Sequence, residues 1–200
     1  WMWSDGLNLW IEGQYVLQWP NGGFGSPCHD LENAMAAFAL CREMGVTPEQ
    51  FLSGWLHYKK PPHRLEFVIE KKGVRYYDDS KGTNIDAVVR AVELVEGPIW
   101  LIAGGVDKGH PYTSWGPIFF FFLQKVLAIG QAAEQIQRDL GTSTLVEICT
   151  SLQEAVKKAG AEALPGGAVL LSPGCASFDM FTDYADRGRQ FQQFVAMEVS

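Results

Sequence analysis

The sequence lacks an apolar run long enough to cross a membrane. Its longest unbroken apolar stretch is Ile118 to Leu123, whereas a transmembrane helix needs about 20 apolar residues. It also lacks the pattern of a signal peptide, because Trp1 to Asp5 supply no basic region before an apolar core. We therefore expect a cytoplasmic protein with no membrane partner.

Paired cysteines and an excess of positive charge are also absent. The cysteines at positions 28, 41, 149 and 175 show neither metal-ligand spacing nor a disulfide framework. This scatter is typical of reduced thiols in a cytosol, and it predicts no metal site. The net charge of -7 argues against a nucleic-acid partner, because such proteins present a basic surface.

Two nucleotide-binding motifs are missing. Without a G-x-x-x-x-G-K-[ST] loop, the chain cannot cradle phosphates as a P-loop ATPase does. The glycine-rich stretch Gly104 to Gly109 (GGVDKG) does not match that loop. No G-x-G-x-x-G follows a strand, which argues against a dinucleotide dehydrogenase. The opening at Trp1 is unusual for a native N-terminus and suggests a piece of a longer protein.

What the chain does contain is a polar stretch, Asp78 to Asn84 (DDSKGTN), between an apolar run and an amphipathic one. This order predicts a turn between a strand and a helix, which is where α/β proteins bind ligands. A lysine at a helix start opposes the helix dipole unless an anion lies between them. Lys81 therefore predicts a phosphate or carboxylate site.

Strand and helix patterns alternate from residue 65 onward, and they predict an α/β fold with a mostly parallel sheet covered by helices on both faces. Before residue 60 the pattern predicts a hairpin within 7–17 and helices at about 31–44 and 48–58. Lys59 to Pro62 is the predicted linker between these two parts. The strands are predicted at 65–70, 74–77, 99–103, 126–129, 144–148 and 168–172, and the helices at 84–95, about 113–124, 131–140, 151–163 and about 181–197.

Three predicted strand ends carry unusual loops, namely Asp78 to Asn84, Gly104 to Gly109 and Ser172 to Ser177. The carboxyl ends of parallel strands open on one edge of a sheet, so we expect these loops to meet. Taken singly, each loop could be an ordinary turn and Lys108 a solvated charge. Their convergence favours a shared site, because glycines admit a ligand to the backbone and lysines and hydroxyls donate to anions. Cys175 has no histidine partner in this pattern, which argues against a nucleophilic role.

Several residues allow two interpretations from sequence alone. Arg64 is either a surface charge or a bidentate phosphate ligand, and His63 is either structural or part of a site. Asp79 either caps the following helix or accepts hydrogen bonds from a ribose. Asn33 either belongs to a capping arrangement, with Asp30 as N-cap of the first helix, or faces a nucleotide.

Five ordered motifs resemble the second half of the Mur ligases. The resemblance covers nearly the whole chain, most securely from residue 29 onward. The last motif, with Arg187 and Gly188 following it, favours the branch of the family that adds D-glutamate. The motifs are 29–34 (HDLENA), 62–66 (PHRLE), 79–84 (DSKGTN), 104–109 (GGVDKG) and 171–179 (LSPGCASFD).

The resemblance implies a three-domain enzyme of which this chain is a portion. Residues 1–60 would be the C-terminal part of the central ATP-binding domain, and residues 62–200 the C-terminal Rossmann-like domain that binds the amino acid. The P-loop would then lie upstream. The implied reaction is ATP-dependent amide formation, which adds D-glutamate to UDP-N-acetylmuramoyl-L-alanine through an acyl phosphate in peptidoglycan precursor synthesis. The implied Mg²⁺ ligands lie mainly upstream, so the portion alone would be inactive, and the full-length protein would be a monomer.

The resemblance also implies a role for each motif residue. Asn33 would contact the adenine of ATP, Arg64 a phosphate and Asp79 the ribose, while Lys81 would be a catalytic residue close to the reacting centre. Lys108 would pair with one carboxylate of D-glutamate, and Ser177 would donate to the other. The D-glutamate site would comprise Thr83, Lys108, Ser177, Phe178 and Tyr184.

Two alternatives remain open at the level of sequence. One is a different amide ligase of the same superfamily, such as another Mur ligase or a folylpolyglutamate-type enzyme, which would need a different third loop to recognise its amino acid. The other is an anion-binding module without catalysis.

Overall fold

The computed structural model of the chain describes residues 1–20, 23, 29–116 and 121–198. The chain divides into two compact units, Trp1–Lys60 and Pro61–Ser200, and each contains its own hydrophobic core. Within the described ranges, no helix is both long enough and apolar enough to span a membrane.

The first unit combines a small antiparallel sheet with two helices. Its buried core includes Leu9, Trp19 and Phe38. The predicted hairpin and both predicted helices are confirmed, but the first strand was not predicted because three residues are too few to show an alternating pattern. The elements are β1 (Met2–Ser4), β2 (Asn8–Ile11), β3 (Gln14–Gln18), α1 (His29–Glu43) and α2 (Pro48–Leu56).

The starts of the two helices differ in how well they were predicted. Pro48 opens α2 as expected, and a capping box precedes it, in which Thr47 Oγ1 accepts from Gln50 N at 3.3 Å and Gln50 Oε1 accepts from Thr47 N at 2.9 Å. Asp30, by contrast, is not the N-cap of α1, because the helix already begins at His29. Asp30 lies in the first turn and pairs with Lys60 Nζ at 3.1 Å.

The second unit is built on a six-stranded sheet. Its strands are β4 (Glu66–Lys71), β5 (Val74–Asp78), β6 (Ile99–Gly104), β7 (Leu123–Ile129), β8 (Val146–Ile148) and β9 (Ala168–Leu171). Their order in the sheet is β4-β5-β9-β6-β7-β8, so the last strand in sequence, β9, lies between β5 and β6. The hairpin pair β4 and β5 is antiparallel, and every other neighbouring pair is parallel.

Helices cover both faces of this sheet, which confirms the predicted fold class. The helices are α3 (Ile85–Leu94), the 3-10 helix (Tyr112–Trp115), α4 (Ala133–Leu140), α5 (Leu152–Glu162) and α6 (Tyr184–Glu198). On one face, α3, the 3-10 helix and α4 pack into a core that includes Val92, Trp115 and Ile136. On the other face, α5 and α6 pack into a second core that includes Val156 and Phe191.

The helix predicted around 113–124 is wrong at both ends. Its start is a 3-10 helix at Tyr112–Trp115, and its end belongs to β7, which begins at Leu123. Leu123 pairs with Ile99 of β6, so parallel sheet pairing overrides the local preference. Residues 117–120, which include the first three residues of the apolar run, lie outside the described residues, as does Cys28. Phe121, within the run, is 80% exposed.

Candidate functional site

The three predicted loops meet at one edge of the sheet, because β5, β9 and β6 are parallel neighbours. Gly174 N donates to Gly82 O at 2.8 Å, which joins the third loop to the first. Lys108 Nζ donates to Thr83 O at 2.6 Å, which joins the second loop to the first. These hydrogen bonds therefore hold the three loops together at the carboxyl ends of three strands.

Two glycines let the second loop approach its neighbours closely. Gly104 has φ +119°, and a Cβ there would lie 2.0 Å from Ile129 O. Gly105 has φ +137°, and a Cβ there would lie 2.2 Å from Ala176 O. A side chain at Gly104 would clash with the end of β7, and one at Gly105 would clash with the third loop. The Gly-Gly pair is therefore required by packing as well as by backbone conformation.

Asp79 ties the first loop to Leu65 and to the third loop. Its Oδ1 accepts from Leu65 N at 3.1 Å, and its Oδ2 accepts from Ser172 Oγ at 2.7 Å. The residue is only 6% exposed. It does not cap α3, because Asn84 does so by accepting from Ala87 N at 2.8 Å. A ribose would therefore share this nearly buried carboxylate with protein donors.

His63 is buried beside the fully buried Asp78. Its Nδ1 lies 2.7 Å from Asp78 Oδ2, which also accepts from Gln192 Nε2 at 2.8 Å. Asp78 Oδ1 accepts from Ser80 N at 2.9 Å. These contacts favour the structural interpretation of His63, which braces β5 against α6.

His63, Glu66 and Asp78 also place their ligand atoms within 4.8 Å of one another. The cluster does not fit Mg²⁺, which prefers oxygen ligands in octahedral geometry. Two oxygens of the cluster are engaged by His63 itself, since Glu66 Oε2 accepts from His63 N at 2.9 Å and Asp78 Oδ2 faces its ring. We therefore assign this cluster no metal.

Arg187, which the sequence analysis used only as a mark of the family branch, has a structural role that was not predicted. It is fully buried, and it donates from Nε to Ser80 Oγ at 2.9 Å, from Nη2 to Ser80 O at 2.8 Å and from Nη1 to Cys175 O at 3.1 Å. Burial lowers the pKa of Arg187 to about 10, which leaves the guanidinium charged at neutral pH. It thus ties the first and third loops to α6. Gly188 beside it makes room for His63, because a Cβ there would lie 2.2 Å from His63 Nδ1.

Lys81 does not lie at the start of α3, where the sequence placed it and where the helix dipole would oppose its positive charge. The helix α3 begins at Ile85 after its N-cap Asn84, so Lys81 belongs to the loop. Its Nζ lies 5.5 Å from the centre of the Tyr184 ring, a cation–π contact at the start of α6. The partly exposed ammonium group can therefore contact a ligand without a helix-dipole penalty.

The residues expected to hold the amino acid lie in or near the three loops and differ in accessibility. Phe178 is 73% exposed, and Lys108 is exposed on the second loop. Thr83 is half-buried, and Ser177 is 2% exposed. A ligand at these loops would meet the exposed Lys108 and Phe178 directly, whereas the Ser177 side chain is almost fully buried.

The other expected nucleotide residues are exposed. Arg64 follows the buried His63 in the second unit, and Asn33 lies on α1 in the first. Both are free to contact solvent or a ligand. Cys175 in the third loop is 1% exposed, and burial raises the pKa of its thiol. It is therefore a poor nucleophile, as the sequence predicted.

Comparison with known proteins identifies the family of this chain. The family described as "Mur ligase, glutamate ligase domain" matches residues 63–175, which include the first and second loops and most of the third. The chain belongs to the Mur ligase family. It is 50% identical over 194 residues to a UDP-N-acetylmuramoylalanine--D-glutamate ligase of Protochlamydia amoebophila, a match that covers 97% of this chain and 44% of the relative. An enzyme of the same name from Trichlorobacter lovleyi is 43% identical, with 88% of this chain and 39% of the relative covered.

The chain thus spans less than half the length of the curated relatives it matches. Solved structures resemble it in fold at low sequence identity. A Thermotoga maritima UDP-N-acetylmuramate-alanine ligase has a TM-score of 0.66 at 13% identity, with 94% of this chain and 42% of that chain covered. Escherichia coli FolC, solved with ADP, has a TM-score of 0.64 at 19% identity, with 98% of this chain and 44% of that chain covered.

Proposed function

We propose that this chain is the amino-acid-binding portion of a cytoplasmic ligase that adds D-glutamate to UDP-N-acetylmuramoyl-L-alanine at the expense of ATP. The observation that carries the proposal is the 50% identity to a relative named as the D-glutamate ligase, over 97% of this chain. Six further relatives of that name are 41–43% identical. Residues 1–60 would be the end of a central ATP-binding domain and residues 62–200 the C-terminal domain.

In the proposed reaction, a carboxylate is phosphorylated by ATP, and the amino group of D-glutamate attacks the acyl phosphate. The tetrahedral intermediate then expels phosphate and leaves an amide. This chain would supply orientation. Lys108, anchored to Thr83 O at 2.6 Å, would pair with one carboxylate of D-glutamate, and Ser177 would donate to the other. Phe178 and Tyr184 would border the site.

The nucleotide would lie on the side of the first loop. Exposed Arg64 would contact a phosphate bidentately, Asp79 a ribose hydroxyl and Asn33 the adenine. Lys81 is the residue we propose to act near the transferred phosphoryl group, since its ammonium is fixed beside the Tyr184 ring and can neutralise developing negative charge. Mg²⁺ would supply further charge neutralisation when bound, through ligands outside this chain.

The proposal is tested by calorimetry of this chain with D-glutamate and, separately, L-glutamate. We expect weak binding of D-glutamate, weaker or undetectable binding of L-glutamate and no ATP turnover by the chain alone. Lys108→Ala should weaken D-glutamate binding by about 1.5–3 kcal/mol, the value of a hydrogen bond to a charged group. The matched control is Lys157→Ala on α5, an exposed lysine outside the three loops. Equal or absent heats for both enantiomers would remove the site assignment.

The same calorimetry, extended to other amino acids and to phosphate, distinguishes the alternative functions. Another ligase of this family would bind a different amino acid in preference to D-glutamate. An anion-binding module without catalysis would bind phosphate and show no preference between the enantiomers.

A further inference from the structure

A tyrosine hydroxyl connects the loop that carries Lys108 to the loop that carries Ser177. Tyr112 is 2% exposed at the start of the 3-10 helix. Its hydroxyl oxygen lies 3.2 Å from Asp107 Oδ1 and 3.0 Å from Cys175 Sγ. Asp107 immediately precedes Lys108, and Cys175 is two residues before Ser177, so one side chain spans both halves of the proposed carboxylate site.

The protons in this connection can be assigned from the chemistry of the groups. A phenol has one proton, and Tyr112 uses it in the hydrogen bond to Asp107 Oδ1, so towards Cys175 the phenol oxygen can only accept. The thiol of Cys175 then donates to the phenol oxygen. Burial raises the pKa of the Cys175 thiol and of the Tyr112 phenol, so both keep their protons at neutral pH. The two hydrogen bonds therefore run in one direction, from thiol to phenol to carboxylate.

Further contacts hold both Tyr112 and Asp107 in place. Tyr112 N donates to Asp139 Oδ2 at 2.8 Å, and the Tyr112 ring packs edge-on against Trp115 with centroids 5.0 Å apart. Asp107 Oδ1 also accepts from Gly109 N at 3.1 Å. The carboxylate that accepts the hydrogen bond from the phenol thus also closes the turn around Lys108.

The remaining described links between the two loops are made by backbone atoms. Gly104 N donates to Pro173 O at 2.9 Å, and Val106 N donates to Ala176 O at 2.8 Å. These bonds would survive a substitution at Tyr112. They secure the base of the second loop, whereas the phenol extends the connection to Asp107, where the loop is exposed.

We propose that Tyr112 is a positioning residue that sets the distance between the Lys108 ammonium and the Ser177 hydroxyl, and thereby selects the length of the dicarboxylic amino acid. The proposal rests on the proposed function, which places one carboxylate at each of these groups. Glutamate and aspartate differ by one methylene between their carboxylates. A fixed distance therefore favours one of them, and a relaxed distance favours neither.

The test is an NMR titration of this chain with D-glutamate and with D-aspartate, in the wild type and in Tyr112→Phe. We expect Tyr112→Phe to raise the dissociation constant for D-glutamate about three- to tenfold, as for one lost hydrogen bond. The constant for D-aspartate should change less, so the preference for D-glutamate narrows. Amide exchange at residues 107–109, measured without ligand, should become faster. Tyr76→Phe is the matched control, because Tyr76 is equally buried in the core on the opposite face of the sheet.

The outcomes separate this role from the proposed function. If the wild type binds D-glutamate and Tyr112→Phe keeps the same preference over D-aspartate, the positioning role is overturned and the proposed function stands. A loss of affinity that Tyr76→Phe reproduces also overturns it, because the effect is then one of general stability. If the wild type binds neither ligand, both the proposed function and this role are overturned.

Discussion

At the residue scale, the buried guanidinium of Arg187 makes a direct prediction. Arg187→Met should lower the free energy of unfolding by about 2–4 kcal/mol, because Ser80 O and Cys175 O are left as buried acceptors without this donor. Methionine retains most of the apolar stem, so the loss reports the hydrogen bonds. Urea unfolding of the second unit measures it.

The control for this prediction is Arg189→Met, two positions further along α6. The Arg189 side chain is 59% exposed and pairs with Asp186 at 3.7 Å, a surface contact worth little. We expect a change within about 0.5 kcal/mol. Equal losses in the two variants would show that Arg187 does not hold the loops together.

Arg187 carried a sequence signal that was available. Arg187, Phe191 and Val195 recur every four residues, which places them on one face of α6, and all three are buried. The hydrogen bond between Asp79 and Ser172, in contrast, could not be predicted. Ser172 is brought beside Asp79 because β9 lies next to β5, and the sequence predicts parallel strands but not their order.

At the scale of the element, the N-terminus of α5 is stabilised by a carboxylate that titrates in acid. Lys158, then Thr150, lower the pKa of Glu154 from 4.5 to about 2. A carboxylate with a lower pKa in the folded state stabilises the fold above the unfolded pKa, and this contribution is lost as the pH falls from about 4.5 to about 2. Glu154→Gln should therefore destabilise the chain at neutral pH and converge with the wild type in that window.

Thermal unfolding at a series of pH values between 2 and 7 measures this convergence. Lys158→Met removes the first cause of the lowered pKa of Glu154. In this variant the melting temperature should fall less steeply between about pH 4.5 and about pH 2. Unfolding curves for wild type and Glu154→Gln that stay a constant distance apart down to pH 2 would contradict the prediction.

Most elements could be predicted because their ends carry chemical markers. Pro48, Gly97 with Pro98, and Gly141 interrupt the helical or strand pattern, and the elements end or begin beside them. The helix prediction for the region after Tyr112 was wrong for a physical reason. A run of phenylalanines has no period that separates helix from strand, and pairing of Leu123 with Ile99 decided the outcome.

At the scale of the whole molecule, the division into two compact units predicts how the chain is cut. The boundary lies at Lys60 and Pro61, and Lys59 and Lys60 are exposed. Limited digestion with trypsin should cleave first after Lys59, since the next bond precedes proline. The fragment that begins at Lys60 should then persist, because it retains both cores of the second unit.

Mass spectrometry of the first products identifies the cleavage site, and digestion in urea provides the unfolded reference. Cleavage that begins inside residues 66–171 under native conditions would contradict the independence of the second unit.

The position of β9 has a consequence for how the protein is made. It is the last strand of the sheet in sequence, yet it lies between β5 and β6. When the ribosome has synthesised β4 to β8, two groups of strands are present, β4-β5 and β6-β7-β8. The edges of β5 and β6 that will face β9 still lack their partner strand. Unpaired edges are templates for aggregation, and pairings between distant segments form slowly. The nascent chain stays exposed to misassembly until its last third has emerged, so chaperone demand should rise with any delay in translation beyond residue 150.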